Sequence, residues 1–149
     1  MLRLDADNYP SVQSLDAAAL TRLLAQGARP FVAVDERGEV LGYLMAFSSR
    51  SEYNGSEMVA LRRRVGEPFF YIWEVVIAPA WRRQGMGRAF YAAIADVARR
   101  EGVRVLCCGV NLDPPDRNAF AFHHALDFTE IGSSTASNGF TLAFLGKLL

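Results

Sequence analysis

One apolar run constrains the fold of this 149-residue chain more than any other feature. Residues 69–78 read Phe-Phe-Tyr-Ile-Trp-Glu-Val-Val-Ile-Ala, and Glu74 is the only charged residue among them. A strand that is covered on both faces has this near-continuous apolar pattern, whereas a half-exposed strand alternates apolar and polar residues. Pro79 follows and cannot donate a ladder hydrogen bond. The run therefore predicts a strand in the interior of a sheet.

The next segment predicts a helix and a second buried strand. Residues 88–100 place apolar side chains at helical spacing, and Gly102 is a typical C-terminal stop. Residues 103–110 are again almost entirely apolar. A strand, a helix and a strand within this length form a crossover unit whose two strands are parallel.

The rest of the chain completes an α/β fold with a mixed sheet. We see no repeat and no linker that would divide the chain, so we expect a single domain over residues 1–149. The other expected elements are a helix at 17–26, a hairpin of strands 31–34 and 40–47, a polar loop at 48–66 with a short helix at 57–65, a helix at 118–126, and an antiparallel pair at 128–131 and 140–145.

Composition argues against several classes of partner. Lys plus Arg equals Asp plus Glu, at 16 each, so the basic excess of a nucleic-acid-binding domain is missing. The run Arg62-Arg63-Arg64 is more typical of a solvated helix face or an anchor for an acidic ligand. No segment approaches the ~20 apolar residues that cross a bilayer. Cys107 and Cys108 lack a second pair for a metal site, and we expect them to be buried on opposite faces of a strand. The expected location is the cytoplasm.

The loop after the apolar run carries the chemistry. It reads Arg82-Arg83-Gln84-Gly85-Met86-Gly87-Arg88 and opens directly into the predicted helix. The first N–H groups of a helix have no intrahelical partner, and the helix dipole favours anions there. The glycines admit a close ligand, and the arginines add positive charge. The pattern predicts a pyrophosphate site, although it matches neither the mononucleotide nor the dinucleotide motif. A tight turn with incidental arginines is the alternative.

This loop resembles the acetyl-CoA signature of the GCN5-related N-acetyltransferase (GNAT) superfamily, and the preceding Val-Val-Ile-Ala-Pro also matches. Two later segments, residues 110–115 and 122–128, resemble the superfamily's second motif, an Asn-bearing loop followed by a helix that ends in Gly-Phe. The chain looks closest to a little-characterised bacterial branch of predicted acetyltransferases.

The resemblance implies a mostly antiparallel sheet, helices on both faces, and a central parallel pair (69–78 and 103–110) that splays around acetyl-CoA. It implies no metal. The residues that the resemblance assigns to the cofactor are Val75, Val76, Ile77, Arg82, Arg83, Gln84, Gly85, Met86, Gly87, Arg88, Asn111 and Asn118.

The implied reaction moves an acetyl group from acetyl-CoA directly to a primary amine of a small molecule or amino acid. We expect Glu74 to act as general base, since an apolar setting raises a carboxyl pKa. An ordinary Glu that pairs with polar neighbours is the alternative. His123 is the candidate acid for the leaving thiolate, and a His that only packs or caps its helix is the alternative. A non-catalytic acyl-CoA-binding module is the competing function.

Three departures from the superfamily pattern stand out. Asp127 replaces the usual Gly before Phe128, and Asp116 replaces an Asn, so that Asn118 is expected to take its place at the cofactor. The superfamily's first strand is weak or missing, since only residues 2–4 could form it. An exposed sheet edge invites pairing, so a homodimer is expected. The loop that contains Tyr53 and Glu57 is expected to line the acceptor pocket.

Overall fold

A computed structural model describes residues 16–135, 139 and 141–149. These residues form α1 (Ala17–Ala25), β1 (Arg29–Val34), β2 (Val40–Ser48), α2 (Ser56–Arg64), β3 (Phe69–Ile77), a 3₁₀ turn (Pro79–Trp81), α3 (Met86–Arg100), β4 (Val105–Asn111), α4 (Arg117–Ala125), β5 (Thr129–Thr135) and β6 (Thr141–Leu148). None of the helices in these ranges is long and apolar enough to cross a membrane.

The six strands form one sheet in the order β1-β2-β3-β4-β6-β5. Every neighbouring pair is antiparallel except β3 and β4, which are parallel and are joined through α3. The predicted α/β fold class, with its central parallel pair, is therefore confirmed. The apolar run 69–78 is the third strand of the sheet and has a neighbour on each side, as its composition predicted.

The helices cover both faces of the sheet. The face covered by α3 and α4, here called the α3 face, packs Phe90 and Ile94 against strand residues such as Leu44, Ile72 and Leu106. The face covered by α1 and α2, here called the α1 face, packs helix residues against the alternate strand positions. Those residues include Leu23, Met58 and Leu61 from the helices and Phe47, Tyr71 and Phe144 from the strands.

Gly42 sets how closely α3 approaches the sheet. A Cβ atom at this position would lie 2.9 Å from both the Met86 sulfur and the Val76 carbonyl oxygen, and 3.3 Å from the Phe90 ring. Because Gly42 has no side chain, the first turns of α3 can pack directly on β2. Its role depends on a contact across the fold, and the local sequence carries no sign of it.

Element bounds differ from the sequence-based ones mainly at the ends. Helix α3 begins at Met86 rather than at residue 88, β5 ends four residues later than predicted, and β6 ends three residues later. Cys107 and Cys108 are buried in separate clusters on opposite faces, as predicted, and burial raises the pKa of Cys107 to about 12. The weak strand suggested at residues 2–4 lies outside the described residues.

Candidate active site

The N-terminus of α3 presents unpaired N–H groups. Gly85 precedes the helix in a left-handed conformation (φ 85°), and no side chain caps the helix. The Ala89 N–H closes the first intrahelical bond by donating to the Gly85 carbonyl oxygen at 3.0 Å. The N–H groups of Met86, Gly87 and Arg88 precede that bond and have no intrahelical partner. Together with the helix dipole, they form a site that favours a negative group.

The loop before α3 is held in shape by its own side chains. Arg82 Nε donates to the Ile77 carbonyl oxygen at 3.1 Å, and Gln84 Nε2 donates to the Ala80 carbonyl oxygen at 3.1 Å. Arg83 has φ 60°, a left-handed conformation that costs a non-glycine residue roughly 1–2 kcal/mol. The surrounding bonds fix this strained turn, in which Arg83 is exposed.

The parallel strands β3 and β4 separate next to this loop. Their pairing runs only from Phe69 with Val105 to Ile72 with Cys108. Strand β3 nevertheless continues to Ile77 and β4 to Asn111, and both strands lie wholly within the described residues. Val75, Val76 and Ile77 occupy the part of β3 that β4 does not pair with. We call this separated region the fork.

The start of α4 completes the surroundings of the fork. A Cβ atom on Gly87 would lie 3.0 Å from the Phe122 ring, so α4 packs closely against the first turn of α3. Asn118 is exposed in the first turn of α4, and Asn111 is half-buried at the end of β4. Asp116 caps α4, because its side chain accepts from the Ala119 N–H at 3.0 Å. The Asp116 carboxylate therefore already has a hydrogen-bond partner within the protein.

A β-bulge turns Glu74 away from the α3 face. Met45 pairs with Glu74 but Ala46 pairs with Ile72, which leaves Trp73 as the extra residue. Glu74 then shares the α1 face with Tyr43, whose hydroxyl donates to Glu74 Oε2 at 2.6 Å. Tyr43 is fully buried, so this donor is fixed in place. The carboxylate that the sequence singled out thus stands at the fork, on the face opposite α3.

His123 does not join this group. It is 8% exposed and lies between α3 and α4, in edge contact with Tyr91, Phe122 and Phe128. Its Nδ1 contacts the Ala119 carbonyl oxygen at 2.7 Å, and its Nε2 contacts the Tyr91 hydroxyl at 2.5 Å. A carbonyl oxygen only accepts, so Nδ1 carries the proton and the hydroxyl donates to Nε2. Burial lowers the pKa of His123, which keeps the ring neutral.

Two tyrosines at these contacts were missed by the sequence interpretation. Tyr43 holds Glu74 from 31 positions away, and Tyr91 holds His123 from 32 positions away. Each partnership depends on strand register or helix packing rather than on local spacing. The alternation of β2 could have placed Tyr43 on a buried face, but its partner follows only from the bulge in β3.

The arginine run on α2 is partly internal. Arg62 donates to the carbonyl oxygens of Ser49, Ser51 and Tyr53 at 2.9–3.1 Å. Arg64 donates to the Ser133 carbonyl oxygen at 2.7 Å. Two of the three side chains therefore hold the loop and the sheet together, unlike the solvated face or ligand anchor that the sequence suggested. No group of three His, Cys, Asp or Glu side chains in the described part of the chain is placed to hold a metal.

Comparison with solved structures places this architecture among acetyltransferases. Naa20 of Chaetomium thermophilum, in complex with a bisubstrate analogue, matches with a TM-score of 0.74 and 16% identity over 99% of this chain and 80% of that one. An aminoglycoside 6'-N-acetyltransferase complexed with coenzyme A matches with a TM-score of 0.70 and 13% identity over 98% and 87%.

A nourseothricin acetyltransferase matches with a TM-score of 0.61 and 22% identity over 83% of this chain, which spans 66% of that protein's length. No match was found among curated proteins. A sequence model of the acetyltransferase (GNAT) family matches residues 1–128. This match, on a chain whose parallel strands separate beside an uncapped, arginine-flanked helix start, shows that the protein belongs to the acetyltransferase (GNAT) family.

Proposed function

We propose that this protein is an N-acetyltransferase that moves an acetyl group from acetyl-CoA to the primary amine of a small molecule or amino acid, with both substrates bound together. The observation that carries the proposal is the fork, because two parallel strands separate where an uncapped helix begins. Family membership and the coenzyme A in the aminoglycoside acetyltransferase structure support the same conclusion.

The residues present fit acetyl-CoA. The diphosphate of the cofactor needs hydrogen-bond donors and positive charge, which the Gly85–Arg88 backbone and the Arg83 and Arg88 side chains supply. The edge of β3 from Val75 to Ile77 offers backbone groups that β4 does not engage. Asn111 ends β4 and Asn118 lies in the first turn of α4, and we propose that both contact the cofactor. When bound, acetyl-CoA supplies the activated acyl group.

We propose Glu74 as the general base. An amine attacks only without its proton, so the site needs an acceptor close to the attacking nitrogen. The Glu74 carboxylate stands at the bulge beside the fork, and Tyr43 orients it through one oxygen. As the amine nitrogen bonds to the acyl carbon, the carbon–sulfur bond of the thioester would break and CoA would leave as its thiolate. The Glu74 carboxylate would take the proton from the attacking nitrogen, directly or through water.

For His123 we favour the packing alternative. An acid must hold a proton and direct it at the leaving thiolate, whereas His123 directs its one N–H at the Ala119 carbonyl oxygen. Its second nitrogen accepts from Tyr91, and burial lowers its pKa. The acid role stays a prediction, and the pH dependence of the stability of the fold tests the packing role.

We also propose that residues 1–149 form one acetyltransferase domain, since the sheet runs from β1 to the strand that ends at Leu148. The competing function, a non-catalytic acyl-CoA-binding module, shares the cofactor site but predicts no turnover. The expected homodimer and cytoplasmic location stay predictions.

Ligand binding and thiol release separate these proposals. Acetyl-CoA at about 100 times its Kd should stabilise the fold by about 2.7 kcal/mol, and ATP or NAD at the same concentration should not. An N-acetyltransferase also releases free CoA thiol with amines, whereas a binding module does not. Thermal stabilisation by ATP or NAD but not by acetyl-CoA would remove the cofactor assignment.

Arginine variants locate the cofactor. Arg83→Ala combined with Arg88→Ala should raise the KM for acetyl-CoA by at least 10-fold, since each removes a charge beside the diphosphate. Arg100→Ala is the matched control, because Arg100 is exposed at the far end of the same helix. An equal KM in both variants would place the diphosphate elsewhere.

A further inference from the structure

A buried carboxylate on the α1 face is linked to the fork by a chain of hydrogen bonds. Glu57 on α2 is only 8% exposed, and its carboxylate accepts from the Tyr53 hydroxyl. That hydroxyl in turn accepts from the Trp73 indole N–H at 3.1 Å. Trp73 is the bulged residue at which β3 separates from β4. Glu57 is therefore tied to the fork, next to the position of Glu74.

The donors and acceptors in this chain of hydrogen bonds have a fixed order. An indole N–H only donates, so the Tyr53 hydroxyl accepts from Trp73 and gives its single proton to Glu57. Burial first, and then the hydrogen bond to Glu57, raises the pKa of Tyr53. Burial likewise raises the pKa of Tyr71, with Glu57 contributing. Both phenols therefore stay neutral.

No cation of the described fold pairs with Glu57. None of the ion pairs within residues 16–135 and 141–149 involves it. Arg62, five residues further along α2, directs its guanidinium at the backbone carbonyls of the 49–53 loop and at the Asn54 side chain, 2.5 Å away. A carboxylate this far from water is costly unless a positive group meets it.

The surroundings of Glu57 are aromatic. Tyr53 stacks on Phe47 with ring centroids 4.1 Å apart, and both rings belong to the cluster that includes Tyr71 and Trp73. Gly55 leaves the room for the Tyr53–Glu57 contact, since a Cβ atom there would lie 2.6 Å from Glu57 Oε1. Aromatic faces with a carboxylate among them attract organic ammonium groups.

We propose that the acceptor substrate is a diamine, whose reacting amine lies at Glu74 and whose second, charged amine binds Glu57. This inference rests on the proposed transferase function and adds the acceptor class. Tyr53 and Trp73 act as positioning residues, because they hold the carboxylate through the phenol. Glu57 determines specificity and takes no proton from the reacting nitrogen.

The test compares acceptors of equal carbon length. Diamines of three, four and five carbons are assayed by thiol release at saturating acetyl-CoA, each beside the monoamine with the same number of carbons. The expected result is a kcat/KM at least 10-fold higher for one of the diamines than for its monoamine. Glu57→Gln should abolish this preference by raising the KM for the diamine far more than the KM for its monoamine.

Glu52→Gln is the matched control, because Glu52 is exposed in the same polar loop. It should keep the diamine preference of the wild type. Tyr53→Phe retains the ring but removes the hydroxyl, and it should weaken the preference less than Glu57→Gln. If Glu57→Gln does not fold, the wild-type comparison alone still decides the proposal.

Equal kcat/KM for diamines and monoamines, or an equal effect of Glu57→Gln on both, overturns the diamine proposal and leaves the transferase function standing. Stabilisation by acetyl-CoA without acetylation of any diamine also overturns it, and the result favours the binding module only if no other amine is acetylated. Failure of acetyl-CoA to bind removes the transferase function itself, so the two failures are distinguishable.

Discussion

The two halves of β3 have similar compositions and different roles. From Phe69 to Ile72 the strand is paired on both sides and almost fully buried. From Trp73 to Ile77 it is paired with β2 alone, and four of its five residues are only half-buried. Both halves are apolar apart from Glu74, so hydrophobicity does not distinguish them.

The bulge at Trp73 makes the difference. It inserts one residue, breaks the alternation, and places Glu74 on the α1 face, while β4 leaves the strand at the same level. The lower half, up to Ile72, is paired with β2 on one side and with β4 on the other. The upper half, from Trp73, keeps one edge that β4 does not use, and this edge is where we place the cofactor. The comparison teaches that a change in pairing, with little change in composition, separates the stabilising half from the proposed site.

The largest expected effect tests the upper half. Glu74→Gln should lower kcat by about 100- to 10,000-fold, the range for loss of a general base. The amide can still accept from Tyr43, so the thermal midpoint should stay within a few degrees. Steady-state thiol release and thermal unfolding measure the two quantities. Glu130→Gln, at an exposed position on β5, should leave both unchanged.

A kcat for Glu74→Gln within about 3-fold of wild type would assign Glu74 to the alternative role, an ordinary carboxylate bonded to Tyr43. The pH–rate profile gives a second view, since removal of the base should abolish the rise of kcat/KM with pH that its titration produces.

The second prediction tests the lower half. Phe70 is fully buried against α3 and pairs across to Leu106. Phe70→Ala should destabilise the fold by about 3–5 kcal/mol, the usual result of emptying a buried aromatic site. The kcat per folded molecule should change little. Denaturant unfolding and active-site titration measure these effects. A large fall in kcat with intact stability would erase the distinction between the two halves.

Local sequence determined much of this fold but not the details of its site. The runs at β3 and β4 predicted the parallel pair, because doubly covered strands and a crossover helix carry strong patterns. The left-handed conformation considered for Asp127 is present, at φ 66°. The bulge at Trp73 could not be predicted, since β3 reads as an uninterrupted apolar run. Whether Glu74 points to one face or the other depends on that single inserted residue.

His123 shows the same limit from the other direction. Its position in a family-like motif suggested a catalytic role, and the residues around it in sequence do not indicate its contact with Tyr91. Only the packing of α4 on α3 brings the hydroxyl to its ring. Motif resemblance pointed to a loop in which the structure shows an uncapped helix start after a left-handed Gly85, and the binding of the cofactor there stays a prediction. It was less informative where a role depends on contacts between distant side chains.

The smallest expected effect concerns His123 and pH. Burial lowers its pKa in the folded state below the ordinary value of about 6.5. As pH falls below about 6.5, His123 takes up a proton in the unfolded chain but not in the folded chain, so unfolding becomes easier. Stability should be fully present above that pH and decline from there toward the lower folded-state pKa. The loss grows with the difference between the pKa of His123 in the unfolded and folded states.

His124 provides the matched control, because it lies next along α4 and is exposed. His123→Asn should lower stability at pH 7 and flatten its decline between pH 7 and 5.5, whereas His124→Asn should preserve that decline. Denaturant unfolding at each pH separates the two variants. If His123→Asn keeps the full decline and its folded fraction loses kcat by 100-fold or more, the packing role is wrong and the acid role takes its place. If the buried imidazole only packs, with both ring nitrogens hydrogen-bonded, His123→Asn should instead flatten the decline and preserve kcat, because the neutral ring is part of the fold.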